Sequence, residues 1–117
     1  MKRDPVLYLE DILESIEKIE EYTKKSGRKV FFDSSEKQDA VVRRLEIIGE
    51  AVKNIPDDIK ADSPQIPWKR IAGLRDILTH AYFGVNILRV WNIVAEDLPE
   101  FKKELRKVLK SGKTKVK

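Results

Sequence analysis

The chain has 117 residues, 41% of them hydrophobic and 38% charged, with no cysteine and one histidine. That length suits a single domain that buries about 65% of its unfolded surface. The missing thiols exclude a disulfide scaffold, a cysteine nucleophile and Cys-based zinc or iron–sulfur sites, and one histidine excludes paired-histidine zinc motifs.

No apolar run approaches the roughly 18 residues of a membrane span. The opening MKRDPVLYLEDILE lacks the apolar core of a signal peptide, so a cytoplasmic protein is expected, without a membrane partner. The net charge of +4 conceals an asymmetry. Residues 1–60 hold 12 Lys/Arg against 14 Asp/Glu, whereas residues 61–117 hold 12 against 6. A polyanion would be steered toward the second half. Much of the excess lies between Lys102 and Lys117, with eight basic residues and one acid, Glu104. That run reads either as a solvated helix end or as a contribution to RNA attraction; charge alone carries no sequence readout.

Asp4-Pro5 pairs an N-cap acceptor with proline at the first helical position. Leu9, Ile12, Leu13, Ile16 and Ile19 then recur at three- and four-residue steps, which predicts a helix over about 5–25, ended by Gly27. RKVFF before Asp33 is read as a connector that tucks Phe31 and Phe32 into the core. Ser35-Glu36-Lys37-Gln38 fits a capping box. It precedes a second stripe of Val41, Leu45, Ile48, Val52 and Ile55, stopped by Pro56.

Residues 56–67 hold three prolines and read as a loop with at most a short turn. Their acids Asp57, Asp58 and Asp62 match no calcium-loop spacing. Pro67-Trp68 opens a third helix with Trp68, Ile71, Leu74 and Leu78 inward, and Lys69, Gly73, Asp76 and His80 on its small, polar side. Asn86 is a cap for a fourth stretch through Leu88, Trp91, Val94, Leu98, Phe101, Leu105 and Val108, which Pro99 kinks or restarts. The expected architecture is an all-α, up-and-down bundle of four to five helices. Residues 1–110 form one domain and residues 111–117 a basic flexible tail.

Among the glycines there is neither G-x-G-x-x-G nor a P-loop, and no serine sits in a nucleophile elbow. The chemistry-bearing stretch is RDILTHAYF, Arg75 to Phe83. Arg75 offers a permanent planar cation suited to phosphate, and His80 titrates near neutrality. Together they meet the minimum for cutting RNA without a metal. The imidazole moves the proton of the 2′-hydroxyl or of the leaving 5′ oxygen, and the guanidinium stabilises the charge that builds on phosphorus. One imidazole does not readily serve as base and acid at the same instant, which is a reason to expect a symmetric pair of subunits. On an ideal helix positions 75 and 80 stand about 140° apart. The plain alternative is therefore an arginine at a helix edge and a histidine satisfied by Asp76, four residues earlier, which would otherwise orient the ring.

Arg75-x4-His80-x-Tyr82 resembles the signature of HepT-like proteins, small toxins of the HEPN superfamily. IGEAVKNIP (48–56), IPWKRIAGLRDILTHAYFGVN (66–86) and VWNIVAEDLPEF (90–101) resemble that family's successive helical segments, and the likeness spans roughly residues 5–109. The resemblance implies a dimerising HEPN-like bundle and a metal-independent, cofactor-free ribonuclease with its cleft between two subunits. It also implies a toxin–antitoxin pair, in which a minimal nucleotidyltransferase transfers AMP to the motif tyrosine. Carried over by position, Arg75 and His80 are the catalytic pair and Tyr82 the acceptor of the AMP, a phosphodiester that would block RNA. The alternative is a non-catalytic helical partner that binds a nucleotide or a nucleotidyltransferase. Trp68 and Trp91 read as core or dimer-seam residues, Tyr82 alternatively as a packed ring, and Arg44 as a cleft cation or an ion-paired surface residue.

Overall fold

The computed structural model describes residues 4–24, 27–74, 78 and 86–115, with side chains described as far as residue 110. The described residues form α1 (Pro5–Lys24), α2 (Gly27–Asp33), α3 (Ser35–Lys53), α4 (Asp57–Asp62), α5 (Trp68–Ala72), α6 (Ile87–Asn92) and, through a π-helical turn (Ile93–Asp97), α7 (Leu98–Lys115). This is the all-α bundle that the patterning predicts, with two of the expected connectors themselves helical.

Asp4 caps α1 as expected: its Oδ1 accepts the Val6 N–H at 2.9 Å, and Pro5 donates nothing at a position where no acceptor is available. Leu9, Ile12, Ile16 and Ile19 are buried. Gly27 adopts φ +76°, a left-handed conformation that side-chain-bearing residues resist, and the chain turns there directly into α2. Residues 27–33 are thus a short helix where the sequence predicts only a connector. Phe31 is fully buried and Phe32 partly so.

The cap of α3 sits one residue earlier than the sequence reading placed it. Ser34 is extended at φ −120°, and its hydroxyl accepts the Lys37 N–H at 3.1 Å. Gln38 does not close a capping box. Its amide donates to the Phe31 and Phe32 carbonyls, both at 3.1 Å, which satisfies the C-terminal carbonyls of α2. The stripe Val41, Leu45, Ile48, Val52 and Ile55 is buried throughout. Lys37 at the start of α3 reaches the Tyr22 carbonyl near the end of α1, so these helices run antiparallel, and they form the principal pair of the fold.

Residues 57–62 form the short helix α4 with the proline at 56 as its N-cap. Trp68 fastens the following loop. Its indole N–H donates to the Ser63 and Lys60 carbonyls at 3.0 and 3.2 Å, and its ring meets Phe101 edge-on at 6.2 Å.

The stretch from Ile87 to Lys115 makes one rod of about 43 Å at 1.5 Å per residue, close to the 47 Å long axis of the molecule. Asn86 caps it, its side chain accepting the Arg89 N–H at 3.1 Å. In the π turn the Leu98 N–H reaches back to the Ile93 carbonyl, five residues away. The wider turn lies directly ahead of Pro99, which has no N–H to keep an ordinary ladder going. It also shifts the inward face by one residue. Val90 is buried while Leu88, expected inward, is 47% exposed and Trp91 is only partly buried. Beyond the turn Leu98, Phe101 and Leu105 follow the expected stripe. The helical backbone runs to Lys115, past the expected domain end at 110. Contacts Lys102–Glu20 at 2.7 Å and Arg106–Glu17 at 3.6 Å lay α7 antiparallel against α1.

Candidate functional site

Arg75, Asp76, His80 and Tyr82 lie outside the described residues; the structure describes the frame on either side of them. Trp68, Ile71 and Leu74 are buried in series, and Leu78 is 1% exposed. The spacing of three, three and four residues is one face of a helix. Two leucines in the core therefore bracket Arg75 and Asp76 in the chain, and Asn86, four residues after Tyr82, caps α6.

A groove of about 360 Å³ opens beside this frame, between α5 and the α6–α7 rod. Its floor is apolar: Ile66, Ile71, Leu74, Ile93, Leu98 and Phe101. Its rim carries Glu96, Asp97, Glu100 and Glu104, with Arg70 opposite, whose guanidinium holds Asp97 at 3.0 Å. The hydrogen bond from Gln65, at 2.9 Å, and then that from Lys107 hold the Glu104 carboxyl below its ordinary range. Four of the six acids in residues 61–117 thus edge one groove. That rim repels phosphate, so the groove does not suit a nucleic-acid backbone. Sequence reasoning missed it, although the four-residue spacing of Glu96, Glu100 and Glu104 was a visible signal.

The basic run at the chain's end is partly neutralised within the fold. Lys102 pairs with Glu20, Arg106 with Glu17 and Lys107 with Glu104. A second groove, of about 430 Å³, lies between α1 and α3 and mixes both signs, with Asp11, Glu46 and Glu50 around Arg43. Arg44 is half-buried and does not line it.

Aromatic residues gather where α2 meets α6. Phe31 lies 5.2 Å from Trp91 and 5.7 Å from Phe32, ring centre to ring centre, and the Arg28 guanidinium sits 5.4 Å from the Phe32 ring. Among the described residues no group of three or more His, Asp or Glu is placed to hold a metal ion, and no helix is long and apolar enough to cross a membrane.

A family model described as ribonuclease HepT-like matches residues 12–108. The chain is 50% identical over 109 residues to a Methanocaldococcus jannaschii protein named "Gamma-glutamylcyclotransferase and putative RNase"; the match covers 93% of this chain and 49% of that protein, so the chain spans about half of that relative's length. It is 50% identical over 110 residues, 94% of this chain and the whole of the relative, to a "Probable ribonuclease HepT" of Thermococcus cleftensis. A second M. jannaschii protein, named "Putative RNase", is 48% identical over 93% of this chain and 90% of its own length. No solved structure matches the chain.

Proposed function

Since the chain belongs to the HepT-like ribonuclease family of the HEPN superfamily, we propose that it is a metal-independent endoribonuclease and the toxin of a toxin–antitoxin pair. Arg75 and His80 are its catalytic residues and Tyr82 is its off-switch. The observation that carries this reading is Arg75-x4-His80-x-Tyr82, in order and intact, inside a family match that covers residues 12–108. Buried Leu74 and Leu78 support it, since they tie the chain to the core before and after Arg75 and Asp76 in the sequence.

The ribose 2′-oxygen attacks the adjacent phosphorus as its proton leaves to an imidazole, and the bond to the 5′ oxygen breaks as that oxygen takes a proton. The products are a cyclic phosphate end and a free 5′-hydroxyl. His80 is the proton carrier, and Arg75 stabilises the extra charge on the non-bridging oxygens. Two such sites brought together in a homodimer supply one imidazole for each proton, and Asp76 orients the ring of its own subunit. The protein works in the cytoplasm, where its RNA substrate is.

Neutralisation falls to a cognate minimal nucleotidyltransferase. The Tyr82 phenol oxygen attacks the α-phosphorus of ATP, pyrophosphate leaves, and an AMP phosphodiester remains on the ring. Its negative charge and its bulk then occupy the space RNA needs.

Incubation with that nucleotidyltransferase and ATP, followed by intact-mass measurement and peptide mapping, tests the pairing: the expected result is added AMP located at Tyr82, with RNA cleavage lost in step. A folded, dimeric His80→Ala protein that still degrades RNA robustly refutes the catalytic assignment.

A further inference from the structure

The two tryptophans, read alike in the sequence, differ in the fold. Trp68 is 7% exposed and its indole N–H serves two carbonyls. Trp91 is half-buried, and among the described residues its indole N–H has no hydrogen-bond partner.

Around it the surface is unusual for a core margin. Fully buried Phe31 supports Phe32 and Trp91, which are both half-buried and 6.3 Å apart. Arg28, one turn before Phe32, spreads its guanidinium over that ring at 5.4 Å and has no carboxylate partner among the described residues. Leu88, one turn before Trp91, continues the patch at 47% exposure.

Plain core packing needs neither an exposed guanidinium nor an indole N–H that finds no partner among the described residues. Half-buried aromatic rings, an exposed guanidinium and an indole N–H without a partner among the described residues together match a nucleotide: the base stacks, the cation meets the phosphate, and the indole donates to an oxygen of either. A duplex keeps its base faces stacked on one another, so the fit is to a single strand. We infer that Arg28, Phe32 and Trp91 form a subsite for one unpaired nucleotide of single-stranded RNA, on the helix that leaves the Arg75–Tyr82 segment. The inference rests on the ribonuclease reading and names the form of RNA that the enzyme takes.

The test is a titration of the His80→Ala protein with a short single-stranded oligouridylate, followed by indole emission, against an RNA duplex of equal length. Saturable quenching is expected with the single strand and not with the duplex. It disappears in Trp91→Phe, because buried Trp68 is shielded. Arg28→Gln and Phe32→Leu each weaken binding about tenfold, within the range for losing one stacked base, and in the active protein they raise KM with little change in kcat. Unchanged affinity in both variants overturns the inference. So does loss of a homodimer in either variant with RNA affinity intact, which would make the patch a protein seam. Arg28 is exposed, so its variant decides the matter even if Phe32→Leu does not fold. Failure of the unsubstituted protein to cut RNA bears on the ribonuclease reading alone, and the titration still decides the subsite.

Discussion

Leu78→Ala separates the support of the candidate site from its chemistry. Leu78 is 1% exposed and Leu88, ten residues later, is 47% exposed, so the same truncation at each samples the two environments. At Leu78 three carbons leave a closed core. At about 0.8 kcal/mol each the transfer loss is ~2.4 kcal/mol, and the cavity left behind raises the total to about 3–4 kcal/mol. At Leu88 the change stays within about 0.5 kcal/mol. For a chain of this length about 4 °C is lost per kcal/mol, so melting of Leu78→Ala falls by about 12–16 °C while Leu88→Ala melts within about 2 °C of the parent. Calorimetry or circular dichroism reads both, and RNA cleavage is measured well below the lower transition. There the Leu78 variant is still folded, and it is expected to cut more slowly because Arg75 and His80 have lost a core anchor between them. Equal destabilisation by the two substitutions would refute the burial argument. Full activity in Leu78→Ala would show that the core leucine does not position the pair.

Arg75→Ala and His80→Ala each lower RNA cleavage by a factor on the order of 10² or more, the usual share of a positioned acid–base group or transition-state donor, in a single-turnover assay. Ser34→Ala destabilises by about 1 kcal/mol while Ser35→Ala is nearly neutral, as chemical denaturation of the two variants will show; the reverse order would move the cap back to Ser35. Glu104 ionises more readily in the folded chain, first through Gln65 and then through Lys107. Its contribution to stability is therefore present above the unfolded carboxylate pKa and lost as pH falls through the lower folded value. Glu104→Gln is expected to flatten the acid limb of melting temperature against pH, weakly and less so at high salt; an identical limb in the variant would contradict this.

The candidate site is read from the sequence, because its chemistry resides in residue types and short spacings, while its residues lie outside the described ones. A lone histidine five residues after an arginine, followed by a tyrosine, stands out in a chain with no cysteine and no glycine cradle. The core flanking it was legible for a similar reason. Trp68, Ile71, Leu74 and Leu78 repeat at helical spacing, and each is buried. Less was legible where a contact joins distant parts of the chain. Gln38 looked like a capping-box residue but spends its amide on the carbonyls that end α2, and nothing local specifies that choice. The acid rim needed the fold as well, since Arg70 and Asp97 are 27 residues apart.

Local periodicity determined the long helices and which of their faces turn inward, though not the short helices α2 and α4, because a 3.6-residue repeat of apolar side chains favours one conformation wherever it occurs. It did not determine the phase of the last rod. The π turn at Ile93–Asp97 advances the helix by an extra residue, so Val90 enters the core and Leu88 leaves it. Only tertiary packing decided that Trp68 is sealed between a loop and α7 while Trp91 stays half open beside Arg28. An indole N–H has to be paired or wetted, and which of these happens depends on what the rest of the chain brings against it.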